Sequence, residues 1–178
     1  MFYHNEWALY YYDNLITFRI KKDVIDNLSR ADSDREISEI REELENGGYI
    51  KSKKGGKQKK EKPLPPLAFM SSDGFRILVG RNNVQNDILT LKTAKNYDMW
   101  LHVQKQAGSH TIIVADNKEI TETAIYEAAC IAAYHSKSKD SSSVAVDYTI
   151  IKNIKKPVGA KPGKVVYNTY NTVYVTPQ

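Results

Sequence analysis

The run KSKKGGKQKKEKPLPP over residues 51–66 divides the chain into two textures, and no single regular architecture spans it. Seven lysines between Lys51 and Lys62, a Gly-Gly pair, and Pro63, Pro65 and Pro66 leave no periodic apolar face for a helix or strand. A mobile, strongly basic linker is expected here, able to add salt-sensitive affinity for a polyanion. The residues before it are helical in pattern; those after it are mainly β.

From about Asn5 to Ser29, Leu9, Tyr12, Ile16, Ile20, Val24 and Leu28 recur every three or four positions, the period of an amphipathic helix. SDREISEIREELENGG predicts a second one. Ser33 and Glu36 have capping-box spacing, Ile37, Ile40 and Leu44 form a narrow apolar stripe, and Asn46-Gly47-Gly48 is a left-handed stop. Residues 1–50 therefore read as a helical hairpin or the end of a coiled-coil arm, with two ordinary helices packed on the main domain as the alternative.

Residues 67–178 read as one α+β domain: a mixed sheet with packed helices covering one face. SSDG is a turn, and FRILVG, YDMWLHV, HTIIVA, SSSVAVDYT, KVVY and NTVYVTP are strands. Asn86 or Asp87 is placed to cap a short helix over ILTLKTA. TETAIYEAACIAAYHSK is a helix apolar around most of its circumference, with alanines that allow close approach to a sheet.

At 178 residues the chain has room for one domain and an appendage. Its single cysteine, Cys130, excludes an internal disulfide and a cysteine cluster for metal, and fits a reducing cytoplasm. Neither an export signal nor a membrane-spanning apolar run is expected. The four histidines, His4, His102, His110 and His135, lack metal-ligand spacing, so neither metal nor cofactor is expected. The formal net charge is +5, and residues 63–178 hold 13 Lys and Arg against 9 Asp and Glu. That balance suits contact with polyanions.

Strand alternation sorts DMWLH: Met99, Leu101 and Val103 face one side, and Asp98, Trp100 and His102 the other. Asp98 and His102 lie roughly 13 Å apart along such a strand, too far for a catalytic dyad. Gly108, Ser109 and His110 can form a tight turn whose N–H groups meet an anion, but G-x-S-x-G is absent and a nucleophile is not expected. In DYTIIKNIKKPVGAKPGKVVY, Lys152, Lys155, Lys156, Lys161 and Lys164 follow Asp147 without an intervening acid, on turns fixed by Pro157, Gly159, Pro162 and Gly163. With Tyr148 and Tyr167 nearby, they offer phosphate contact and stacking.

Taken in series, SDGFRILVGRNNVQNDILTLKTA, DMWLH, GSH, EAACIAAYHSKSK, VDYTIIKNIKKPVGAKPGKVVY and TVYVTP resemble the NFACT-R domain, also called DUF814. This domain ends the NFACT proteins, the ribosome quality control factors of the RqcH and NEMF type, some bacterial members of which were first named fibronectin-binding proteins. The resemblance covers about residues 67–178; residues 5–50 resemble the tail of the family's coiled-coil middle region. It implies RNA binding without catalysis, with the large ribosomal subunit, tRNA and the family's NFACT-N domain as partners. Such factors recognise a large subunit carrying an obstructed peptidyl-tRNA and recruit tRNA, chiefly alanyl-tRNA in bacteria, for untemplated tailing. Carried onto this chain, it implies RNA contacts at Arg81, Asn82, Asn83, Gln85, Asn86, Asp87, Asp98, Trp100, His102, Gly108, Ser109, His110, Lys155, Lys156, Lys161 and Lys164. The family often has lysine at Arg81; Asn82, Asn83 and Asp87 can instead hold a turn or cap a helix. Arg81 is expected to be a solvent-facing RNA contact.

Two other classes of function stand as alternatives. Surface adhesion to fibronectin would need an export signal, and a nucleic-acid-processing enzyme using Asp98, His102 and His110 would need a nucleophile or metal that the spacing does not supply.

Overall fold

The computed structural model describes residues 24–29, 31, 33–51 and 63–177. The first expected helix falls mostly outside them, with residues 24–28 helical; most of the basic run, residues 52–62, also lies outside.

Helix α1 is Asp34–Asn46. Ser33 Oγ accepts from Glu36 N at 3.3 Å, as the capping spacing predicts. At the other end Gly48 takes φ +72°, while Gly48 N donates to Glu45 O (3.1 Å) and Tyr49 N to Leu44 O (2.9 Å). This stop turns the chain so that Tyr49 lies back against Gly47. The expected stripe is incomplete: Ile40 is buried and Leu44 half-buried, but Ile37 is exposed. Glu36 takes an inward place because its carboxylate accepts from Arg81 Nη1.

The sheet holds β1 (Leu67–Met70), β2 (Arg76–Val79), β3 (Met99–Val103), β4 (Thr111–Val114), β5 (Val144–Ile150) and β6 (Asn171–Val175), in the order β1-β2-β4-β3-β5-β6. Every neighbouring pair is antiparallel, so the sheet is not mixed as expected. The reason lies in its crossovers. The connection from β2 to β3 carries helix α2 (Asn83–Ile88), which continues as a π-helical turn over Leu89–Thr93; that from β4 to β5 carries helix α3 (Glu122–Tyr134). Each steps over one position in the sheet, and the strand filling that position runs the opposite way.

Helical segments cover both faces, not one. Met99, Leu101 and Val103 share a cluster with Ile77, Ile113, Val144 and Val146 beneath Ala124, Ala128, Ala129, Ala132 and Ala133 of α3. The alanines lie flat on the sheet, while Tyr126 and Tyr134 on the helix's outer side are exposed, so its buried surface is narrower than its composition suggests. On the opposite face Trp100 packs with Ile112, Ile151 and Leu89 of the π turn. The alternation in DMWLH is therefore as expected. The SSDG turn also forms, with Gly74 N donating to Ser71 O (3.0 Å) and Gly74 at φ +87°.

Two local expectations need correction, and one strand was not expected at all. Strand β1 pairs with β2, although LAFM carries no alternation in burial. KVVY contributes only an isolated bridge, Lys155 to Val166. The cap of α2 is Asn82, whose Oδ1 accepts from Gln85 N at 2.8 Å; Asn86 and Asp87 lie inside the helix.

Candidate nucleic-acid interface

The stretch VGRNNVQND is a junction to which four distant segments are tied. Arg81 Nη1 donates to Glu36 of α1 and Arg81 Nε to Pro65 O at 2.9 Å. Asn82 Nδ2 donates to Glu39 Oε2 (3.1 Å), and Glu39 Oε1 accepts from Leu64 N (2.7 Å). Gln85 bridges Arg81 N (2.8 Å) and Leu64 O (2.7 Å). Asn86 Oδ1 accepts from His110 N at 3.1 Å. Asp87 accepts from Lys156 Nζ and, at 2.8 Å, from Gly163 N, fixing the basic loop. Arg81, expected to face solvent, instead has its charge matched by Glu36 and pins α1 and the end of the proline run to the domain. Lys156 is likewise matched by Asp87, and its Nζ also donates to Lys161 O at 2.9 Å.

Asn82, Gln85, Asn86, Asp98, Trp100, Ser109 and His110 are buried, which leaves them no RNA-facing surface in this conformation. Asp98 closes the turn before β3, accepting from Lys95 N (2.8 Å) and Ala115 N (2.9 Å). In the Gly108–Ser109–His110 turn the N–H groups of Ser109 and His110 go to protein acceptors and not to an anion. Gly108 bridges Ser136, Ser109 N donates to His135 O (3.1 Å), and His110 N goes to Asn86. His102, half-buried, stacks on Trp100 with centroids 5.6 Å apart, and Tyr167 leans on the same indole. The Tyr167 phenol is pushed up by burial and by donating to Asp147 Oδ2 at 2.9 Å; Asp147 also accepts from Gln104 and Thr172. Among the described residues no group of three or more His, Cys, Asp or Glu gathers as a metal site, and no helix is long and apolar enough to cross a membrane.

The His110 ring makes edge contacts with both Trp100 and His102 (centroids 5.3 and 5.6 Å away), with Nδ1 2.7 Å from Thr90 Oγ1. Burial, reinforced by repulsion from His102, lowers its pKa from 6.5 to about 3. The folded state therefore holds the ring neutral. Its contribution to stability is complete above pH 6.5 and falls by about 1.4 kcal/mol per pH unit from there to about pH 3. Urea unfolding at pH 7 and pH 5 is expected to differ by about 2 kcal/mol from this group alone. In NMR spectra the His110 ring should show no protonation between those values.

Beside the junction lies a cleft of about 700 Å³ between the end of α1 and the domain. Glu43, Asn46, Gly47 and Tyr49 form the α1 wall. Facing them are Asn83, His102, Gly108 and four lysines: Lys105, Lys137, Lys161 and Lys164. These lysines come from three loops. Lys105 follows β3, Lys137 follows α3, and Lys161 and Lys164 sit on the loop held by Asp87; the Gly108–Ser136 bridge draws the first two loops together. Lys161 Nζ stands over the Tyr49 ring, 5.4 Å from its centroid, and Lys137 lies 3.4 Å from Asp26. Burial raises the Glu43 carboxyl above its ordinary value, against a hydrogen bond from Asn83, and nearby Asp87 adds to the rise. Of the expected contacts, Asn83, His102, Gly108, Lys161 and Lys164 meet here; Lys155 is exposed but does not line the cleft. Tyr49, Glu43, Lys105 and Lys137 were not expected, because only the docking of α1 and the bridge after α3 bring them together.

Comparison with known proteins shows the family. The family described as "NFACT protein RNA binding domain" matches residues 66–169. The chain is 53% identical over 156 residues to the Rqc2 homolog RqcH of Bacillus subtilis, covering 86% of this chain and 27% of that protein. It is 41% identical over 154 residues to the Rqc2 homolog RqcH of Streptococcus suis, with the same coverages. It thus spans about a quarter of the length of these curated relatives. The solved C-terminal part of the fibronectin/fibrinogen-binding protein of Streptococcus suis superposes with a TM-score of 0.82 at 39% identity, covering 97% of this chain and 70% of that one. With a family match over more than half its length, the chain belongs to the NFACT proteins and carries their RNA-binding domain.

Proposed function

We propose that this chain is the RNA-contacting part of a ribosome quality control factor, working in the cytoplasm by binding and not by catalysis, and without a cofactor. In the whole protein it would help hold tRNA, alanyl-tRNA in a bacterium, on a large ribosomal subunit obstructed by peptidyl-tRNA. Untemplated tailing of the stalled chain would then proceed, with the NFACT-N domain as the second grip. The observation that carries this reading is the gathering of Lys105, Lys137, Lys161 and Lys164 around one cleft in an NFACT RNA-binding domain. Cations held on fixed loops can track a phosphate backbone. Binding of tRNA to the chain across a salt series is expected to weaken linearly on logarithmic axes. Lys161→Glu/Lys164→Glu should lower affinity about tenfold or more and flatten the slope by about one for each phosphate no longer neutralised. Unchanged affinity and slope in a folded variant would refute the assignment.

The name of the Streptococcus suis relative supports a second reading, attachment to fibronectin or fibrinogen. Saturable capture of the chain by immobilised fibronectin, unaffected by excess tRNA, would favour it.

A further inference from the structure

We infer that the cleft between α1 and the domain seats one unpaired RNA nucleotide, with Glu43 reading the N–H edge of its base and guanine preferred. This rests on the RNA-binding reading above and names the ligand of the same surface.

Size comes first. A cleft of about 700 Å³ has the dimensions of a small-ligand site and is far too narrow for a duplex. RNA recognised by sequence is generally offered as splayed, unpaired bases whose edges accept or donate hydrogen bonds. Charge comes second. Lys105, Lys137 and Lys164 stand on the domain side while Lys161 reaches across to the Tyr49 ring, so a phosphate has its place on the domain side and the base is directed towards α1. There Tyr49, 47% exposed and backed by Gly47, carries Lys161 Nζ over its ring, and a base would stack on that face once Lys161 turns to the phosphate.

The third observation concerns Glu43. It lines the cleft, yet its Oε2 is buried without a hydrogen-bond partner. Asn83, which contacts this carboxyl, is confined on its other side by Gly163, whose loop is fastened to Asp87. The terminal torsion of a glutamate is broad, so a small rotation presents Oε2 to a ligand without moving α1. A buried acceptor lacking a donor favours a ligand that supplies one. Guanine presents N1–H and the N2 amino group side by side, matching both oxygens of a carboxylate. Uracil sets a single N–H between two carbonyls that repel it, while adenine and cytosine pair each amino group with an acceptor.

The test uses the 178-residue chain and fluorescent UUUGUUU and UUUAUUU, read by anisotropy beside a tRNA mixture. Wild type should favour the guanine probe about tenfold, the range of one well-placed bidentate base contact. Glu43→Gln, which exchanges an acceptor oxygen for an amide donor, should bring the two probes within about twofold while leaving the melting temperature unchanged or raised, since a buried charge is removed. Tyr49→Ala, a second variant outside the helix, should weaken both probes together. Equal binding of the probes by wild type, or a guanine preference that survives Glu43→Gln, would overturn the inference. Binding of tRNA with neither probe bound would overturn it and leave the RNA-binding function standing; binding of no RNA at all would sink both.

Discussion

Gly80→Ala is expected to lower the unfolding free energy by about 3 kcal/mol, and the melting temperature by about 10 °C, in thermal and urea denaturation. The position is crowded. A Cβ on Gly80 would overlap Asn86 Oδ1 and stand 3.1 Å from Asn86 N. Asn86 is 2% exposed and cannot turn away without leaving His110 N, which donates to that same oxygen, unsatisfied in the core. The strand cannot retreat either, because Gly80 N donates to His110 O at 3.0 Å. Gly74→Ala supplies the contrast. Its site has open space but φ +87°, so backbone strain alone should cost about 1 kcal/mol. A Gly80 variant no worse than the Gly74 variant would show that Asn86 is not held as described.

Arg81→Glu is expected to release α1 while the sheet stays folded. The substitution sets a carboxylate against Glu36, close to Glu39, and removes the donor to Pro65 O. Arg81 and Glu36 side chains are 21% and 9% exposed, so solvent screens their pairing only in part. Breaking such a pair by reversal should weaken docking by about 3 kcal/mol, or on the order of 100-fold in the equilibrium between docked and free helix. Hydrogen exchange should quicken across residues 34–46 and remain slow in β3 and β5. The tRNA affinity should fall as well, since one wall of the cleft departs, with a salt slope closer to wild type than that of the Lys161/Lys164 variant. If exchange in α1 is unchanged, the Glu36 pairing does not hold the helix.

Much of the fold was legible because its signals are local. Ser33 and Gly48 bound α1, the alanines of α3 declare a surface that lies flat on strands, and Met99 to Val103 alternate as a strand should. Strand β1 was hidden because most of it is exposed on both faces and it comes just after prolines. The antiparallel sheet was illegible for a different reason: nothing in a helical crossover tells whether it steps over a neighbour.

The site was harder to read, because its residues serve two ends that composition does not separate. VGRNNVQND looks like a ligand-binding run, yet most of its hydrogen bonds go to protein: Glu36 is 45 residues from Arg81 in the chain, and Lys156 is 69 from Asp87. The family motifs and the cleft share Asn83, His102, Gly108, Lys161 and Lys164. Only the fold distinguishes Lys161, which faces the cleft, from Lys156, which holds the loop in place.

The two skipped positions in the sheet also govern the order in which the domain can assemble. Strand β2 has no central neighbour until β4 is made, and β3, though made before β4, gains its second neighbour only with β5. The inner four strands therefore close late, through contacts between residues far apart in the chain, a topology that folds slowly. While the chain is being synthesised, the apolar residues of β2 to β4 remain incompletely covered until Val144–Ile150 has emerged. A protein proposed to act on interrupted synthesis would itself be vulnerable to interruption before that point.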